Sequence, residues 1–154
     1  MALSRRAFGF GVFGTASLLV LGGLPLGWML VDELRFLDAA VEACFPPVPG
    51  LPTAAEVGAS KAIQRTLEAV PASVALQARG LFRAIEGLPL LSHGKPFSSL
   101  SQPQRTAILQ DLAESSLYPR RLLAHGLKQM CAMGYWQNPR TWSHLGYDGP
   151  LVGR

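Results

Sequence analysis

The side chains able to do chemistry are few, and their spacing suits none of the common catalytic plans. His93, His125 and His144 stand at no metal-ligand spacing from one another or from Cys44 and Cys131. No Cys-x-x-Cys-His run is present, so covalent attachment of c-type haem to this chain is excluded. Gly9-x-Gly11-x-x-Gly14 has the spacing of a dinucleotide fingerprint, but it lies inside an apolar N-terminal stretch with no strand before it. His125 and Cys131 are six positions apart in a helical pattern, which turns them to different faces and separates a base from its nucleophile. These residues predict no catalytic, cofactor-binding or metal-binding set in this chain.

Cys44 and Cys131 leave two readings open. A bridge between them would close a loop worth roughly 4 kcal/mol in the chain-entropy account. Two free thiols would instead behave as small apolar core residues.

The N-terminus is a targeting segment. Ser4-Arg5-Arg6-Ala7-Phe8 precedes residues 8–31, which carry no charge, and a basic start before an apolar run is the pattern of an export signal. The arginine pair, with Ser4 before it and Phe8 after, resembles the twin-arginine (Tat) signal that passes folded proteins across the bacterial inner membrane. Residues 8–31 are long enough to span a bilayer if they stay attached, since about 20 helical residues suffice. Glycines, Pro25 and the lack of an Ala-x-Ala site leave cleavage and anchoring both open. The expected location is periplasmic and associated with the inner membrane.

The 154 residues allow one compact domain, with 49% apolar and 16% charged side chains and a net charge of +4. The charge is evenly mixed beyond Val31, without the basic stripe that neutralising phosphates demands, so nucleic acid is not an expected partner.

From Asp32 the chain reads as an all-α bundle of about five helices, residues 32–134. Leu34, Leu37, Val41, Cys44 and Phe45 fall on one helical face, with Asp32 as cap and Pro46-Pro47 as the stop. Thr53-Ala54-Ala55-Glu56 predicts a capping box opening a second helix with Ile63, Leu67 and Val70 inward. Pro71 opens a third, with Val74, Ala78, Leu81, Phe82 and Ile85 inward. Residues 88–100 are expected to be irregular. Ser101-Gln102-Pro103-Gln104 caps a fourth helix bearing Ile108, Leu109 and Leu112, and a fifth runs from about Pro119 to Gly134.

Residues 135–154 form an irregular aromatic tail. Tyr135, Trp136, Pro139, Trp142, Leu145, Gly146, Tyr147 and Pro150 are too few to make a core, and amphipathic aromatics serve as interface anchors. The tail is therefore expected to dock on a partner, and deletion of Thr141 to Arg154 to leave the bundle intact, the alternative being that the tail folds back over its own helices. Trp142 and Tyr147 are the expected main anchors.

Three features together resemble a known family. Ser4-Arg5-Arg6-Ala7-Phe8, Leu100-Ser101-x-x-Gln104-Arg105 and above all Gly134-Tyr135-Trp136-x-x-Pro139-x-x-Trp142-x-x-Leu145-Gly146-Tyr147-Asp148-Gly149-Pro150 are similar to the gluconate 2-dehydrogenase subunit 3 family. These are the small subunits of bacterial membrane-associated flavin dehydrogenases. The resemblance implies a chain without its own cofactor. Its partner would be a GMC-type flavoprotein holding FAD, which it helps to fold and carries to the Tat translocase. A multihaem cytochrome c subunit would supply haem c. A different class of reading is an independent membrane-anchored helical module binding a ligand or lipid.

Overall fold

The computed structural model describes residues 32–149. The twin-arginine signal at Ser4, Arg5, Arg6 and Phe8, the apolar stretch 8–31 and Pro150 lie outside them. Six α-helices occur among the described residues: α1 (Glu33–Cys44), α2 (Ala59–Ala69), α3 (Ala72–Gly87), the single turn α4 (Leu90–His93), α5 (Gln102–Glu114) and α6 (Tyr118–Trp136). Three 3-10 turns join them, η1 (Phe97–Ser99), η2 (Pro139–Thr141) and η3 (Ser143–Leu145), and no strand is found among these residues. The all-α expectation holds.

α1 is the central element. Asp32 caps it, its carboxylate accepting from the Arg35 amide at 3.2 Å. Its burial exceeds the single expected face: Phe36, Leu37, Ala39, Ala40, Val41 and Ala43 are all buried. The reason is topological, because α1 touches α2, α3, α5, α6 and η1. A helix with neighbours on most sides keeps only a narrow solvent stripe, here at Arg35 and Asp38, and its alanines let other helices approach closely. The Phe36 ring lies 5.2 Å from Phe82 and 5.8 Å from Phe97, tying α1 to α3 and η1.

That contact explains why residues 88–100 are more ordered than expected. Phe97 is fully buried. Just beyond it, the Ser98 amide and hydroxyl donate to the buried Glu86 carboxylate at 3.0 and 2.6 Å. A buried carboxylate must be satisfied by donors, and Ser98 provides two.

The second helix starts later than its capping signal. The Thr53 amide and hydroxyl donate to Glu56 at 2.6 and 2.8 Å, and the Glu56 amide donates to the Thr53 hydroxyl at 3.3 Å. These bonds hold the exposed Glu56 carboxyl below its ordinary pKa. Yet the box closes only a turn, because Gly58 takes a left-handed φ of 63° and α2 begins after it.

The fourth helix begins where expected. Gln104 reaches back to accept from the Ser101 amide and hydroxyl at 3.0 and 2.9 Å. Ser101→Ala should cost about 1 kcal/mol of stability, seen as a lower urea midpoint with an unchanged slope. An unaltered midpoint would show that the box contributes nothing.

The fifth long helix runs through Gly134 to Trp136, past its expected end. Gly134 is a contact residue, not a terminator. A Cβ placed on it would lie 2.6 Å from Ile63 Cγ1 and 2.7 Å from the Ala59 carbonyl oxygen, so the glycine is what lets α6 press against α2. None of the described helices is long and apolar enough to cross a membrane.

Candidate functional site

The end of α6 is built into the protein's own core. Tyr135 stacks on Phe45 with centroids 4.7 Å apart and planes 5° from parallel, and its hydroxyl donates to the Pro52 carbonyl at 2.6 Å. Burial first, and the Glu56 charge second, push that hydroxyl's pKa upward. The half-buried Trp136 packs edge-on against Tyr135 and Phe45. Tyr135 is therefore corrected from interface anchor to core residue. Helical phase carried it there, since one further turn of α6 brings residue 135 onto the face that holds Leu127 and Cys131.

Residues 138–141 fasten the end of α6 to the turn before α2. Asn138 Nδ2 donates to the Val57 carbonyl at 3.0 Å, and Arg140 Nη1 donates to the Glu56 carbonyl at 3.3 Å. Thr141 is fully buried and donates to the Asn138 carbonyl at 2.7 Å. Removal of the chain from Thr141 onward would thus expose core, contrary to the expectation that this cut is harmless. Residues 143–148, by contrast, are exposed.

Beyond Thr141 the chain winds into a hook around Trp142. The indole donates to the Trp136 carbonyl at 2.7 Å, while the Trp142 carbonyl accepts from the Leu145 and Tyr147 amides at 2.9 and 3.1 Å. The Tyr147 ring lies edge-on at 5.4 Å, and a Cβ on Gly149 would meet the indole at 3.4 Å. Gly146 and Gly149 have φ of 63° and 105°, which side-chain-bearing residues rarely adopt, so both glycines are needed to turn the chain. Trp142 is thus the half-buried post of the hook. Leu145 and Tyr147 project from it, 61% and 48% exposed, beside an exposed Pro139 and Gly146.

The remaining chemistry-bearing residues are dispersed. Among the described residues no group of three His, Cys, Asp or Glu side chains could hold a metal ion. His93 bonds Ser92 at 2.8 Å and His125 bonds Gln129 at 3.1 Å. His125 lines a groove of about 650 Å³ between α1, α5 and α6. Cys44 lies on the same groove, and sequence spacing held no sign of that pairing because the two residues come from different helices. Both cysteines are free thiols, and Cys44 packs against the core cluster that contains Cys131.

The whole described domain, hook included, falls under one family description. The model of "Gluconate 2-dehydrogenase subunit 3" matches residues 31–149. The chain belongs to the gluconate 2-dehydrogenase subunit 3 family. The match takes in the close α2–α6 contact at Gly134, the capping box at Ser101 and the Trp142 hook. No curated protein and no solved structure matches the chain. Family membership makes it a relative of dehydrogenase subunits.

Proposed function

We propose that this chain is the non-catalytic small subunit of a periplasmic FAD-dependent dehydrogenase of the GMC type, acting on a sugar, sugar acid or related alcohol. In this reading it supports folding of the catalytic subunit and supplies the twin-arginine signal that takes both proteins through the Tat translocase to the inner membrane. FAD belongs to the catalytic subunit, and a multihaem cytochrome c accepts the electrons. The observation that carries the reading is the family match over residues 31–149, joined to a hook that turns Leu145 and Tyr147 outward.

The hook suits a docking role for a physical reason. Its shape is fixed before binding by the Trp142 hydrogen bonds and two glycine turns, so little ordering entropy is lost when the projecting side chains enter a partner. Interface energy concentrates in such buried aromatic and apolar anchors. Affinity purification of the tagged full-length chain from its native membranes should bring down a flavoprotein, identified by mass spectrometry and bound-FAD fluorescence. Recovery of the chain with no flavoprotein would sink the proposal.

Within that complex, Tyr147→Ala should weaken binding at least about tenfold, equivalent to roughly 1.4 kcal/mol. A titration of the purified catalytic subunit with wild-type and variant chains reads this directly. Less than a twofold change would remove Tyr147 from the interface. Trp142→Ala is the poorer probe, because it also dismantles the hook.

A further inference from the structure

We propose that Cys44 and Cys131 are a paired oxidation site, in which Cys44 captures a disulfide-bearing oxidant from the groove and Cys131 then resolves it into an intramolecular bridge joining α1 to α6. The two residues sit 87 positions apart (131 − 44) and come from the last turn of α1 and the middle of α6, two helices packed directly together. Their surroundings differ in the way a two-step exchange requires. Cys131 is fully buried within the main core cluster. Cys44 is only partly buried and lines the groove of about 650 Å³, beside Thr106, Tyr118, Leu122, His125 and Lys128. An oxidant entering that groove reaches one sulfur and not the other.

The electrostatics assign the same order. A hydrogen bond from the Cys131 thiol, followed by the Lys128 charge, lowers the Cys44 pKa against the opposing effect of burial. The same hydrogen bond, together with burial and the Cys44 charge, raises that of Cys131. The groove-facing sulfur is therefore the more readily ionised of the two, and the thiolate is the nucleophile.

The exchange balances without any further reagent. The Cys44 thiolate attacks one sulfur of a small disulfide such as oxidised glutathione, expels a glutathione thiolate and leaves a mixed disulfide. Cys131 loses its proton to solvent, and its sulfur attacks Cys44 Sγ and expels the second glutathione thiolate. The two cysteines lose two electrons, and the oxidant becomes two thiols.

The test uses the full-length chain, purified reduced in detergent and then equilibrated in glutathione redox buffers. Acid quenching, alkylation and peptide mass spectrometry identify each sulfur's state. Wild type should yield the Cys44–Cys131 cross-link within one molecule, with a melting temperature higher by roughly 10 °C than the reduced form. Cys131→Ala should accumulate glutathione on Cys44, and Cys44→Ala should leave Cys131 unmodified while folded. If Cys131→Ala does not fold, limiting iodoacetamide on the reduced wild type supplies the order, with Cys44 expected to react first. Persistence of the dithiol in fully oxidising buffer, cross-links only between molecules, or prior labelling of Cys131 would overturn the assignment.

Discussion

Replacing Arg5 and Arg6 together by lysine is expected to leave the dehydrogenase activity of the complex in the cytoplasm, with the flavin subunit folded and loaded. The reason is chemical. Lysine keeps both positive charges, so any insertion driven by charge alone should survive. A receptor that reads a planar five-donor guanidinium does not accept an ammonium in its place. The expected loss of exported activity is close to complete, and it affects a catalytic protein that these two arginines need never touch. Cell fractionation with a dye-reduction assay on each compartment checks it. Normal periplasmic activity in the double variant would mean that the partner exports itself, and would separate the proposed docking role of this chain from its proposed role in transport. A single Arg→Lys change should give an intermediate result, because one guanidinium remains to be read.

The second large effect concerns Gly134. In an ordinary mid-helix position, exchange of glycine for alanine stabilises by up to about 1 kcal/mol, through backbone entropy. Here the sign should reverse. The added Cβ would stand 2.7 Å from the Ala59 carbonyl oxygen, a backbone atom that cannot rotate away, and 2.6 Å from Ile63 Cγ1. Gly134→Ala should therefore destabilise by roughly 1–2 kcal/mol net. Gly134→Val, with two further methyl groups and a smaller helix-propensity gain than alanine, should cost about 3 kcal/mol or more and lower the melting temperature on the order of 10 °C. Urea unfolding of the three proteins decides the matter. If Gly134→Ala proves more stable than wild type, α2 and α6 do not lie as close as described. Adding Ile63→Ala to Gly134→Ala should recover only part of the loss, because removing that side chain leaves the Ala59 carbonyl in place.

Gly134 also shows why parts of the architecture were hidden from a linear reading. A glycine after a periodic apolar run is the usual mark of a helix end, and only a second helix crossing at that point gives it a different purpose. The same holds for Phe36 and Phe97. Neither belongs to the amphipathic pattern of its own segment, yet both are fully buried, because α1 is enclosed by its neighbours and η1 folds onto it. The capping box at Thr53 met a comparable fate, since its local hydrogen bonds form while the left-handed Gly58 delays the helix.

By itself, the sequence determined whatever depends on short range. Periodicity, prolines and capping residues define the all-α class, the order of the five long helices, the cap at Asp32 and the box at Ser101, because these effects act within one or two turns. The closing aromatic motif likewise marked the family, since it is a contiguous string of residue types. Tertiary structure decided the rest, because burial and proximity are properties of pairs of segments. It drew Tyr135 into the core and set Trp142 as the post of a hook, leaving Leu145 and Tyr147 to face outward. It also packed the helices of Cys44 and Cys131 together, leaving Cys44 on a groove and Cys131 sealed in the core. No spacing rule reaches across 87 residues; only the packing of α1 against α6 does.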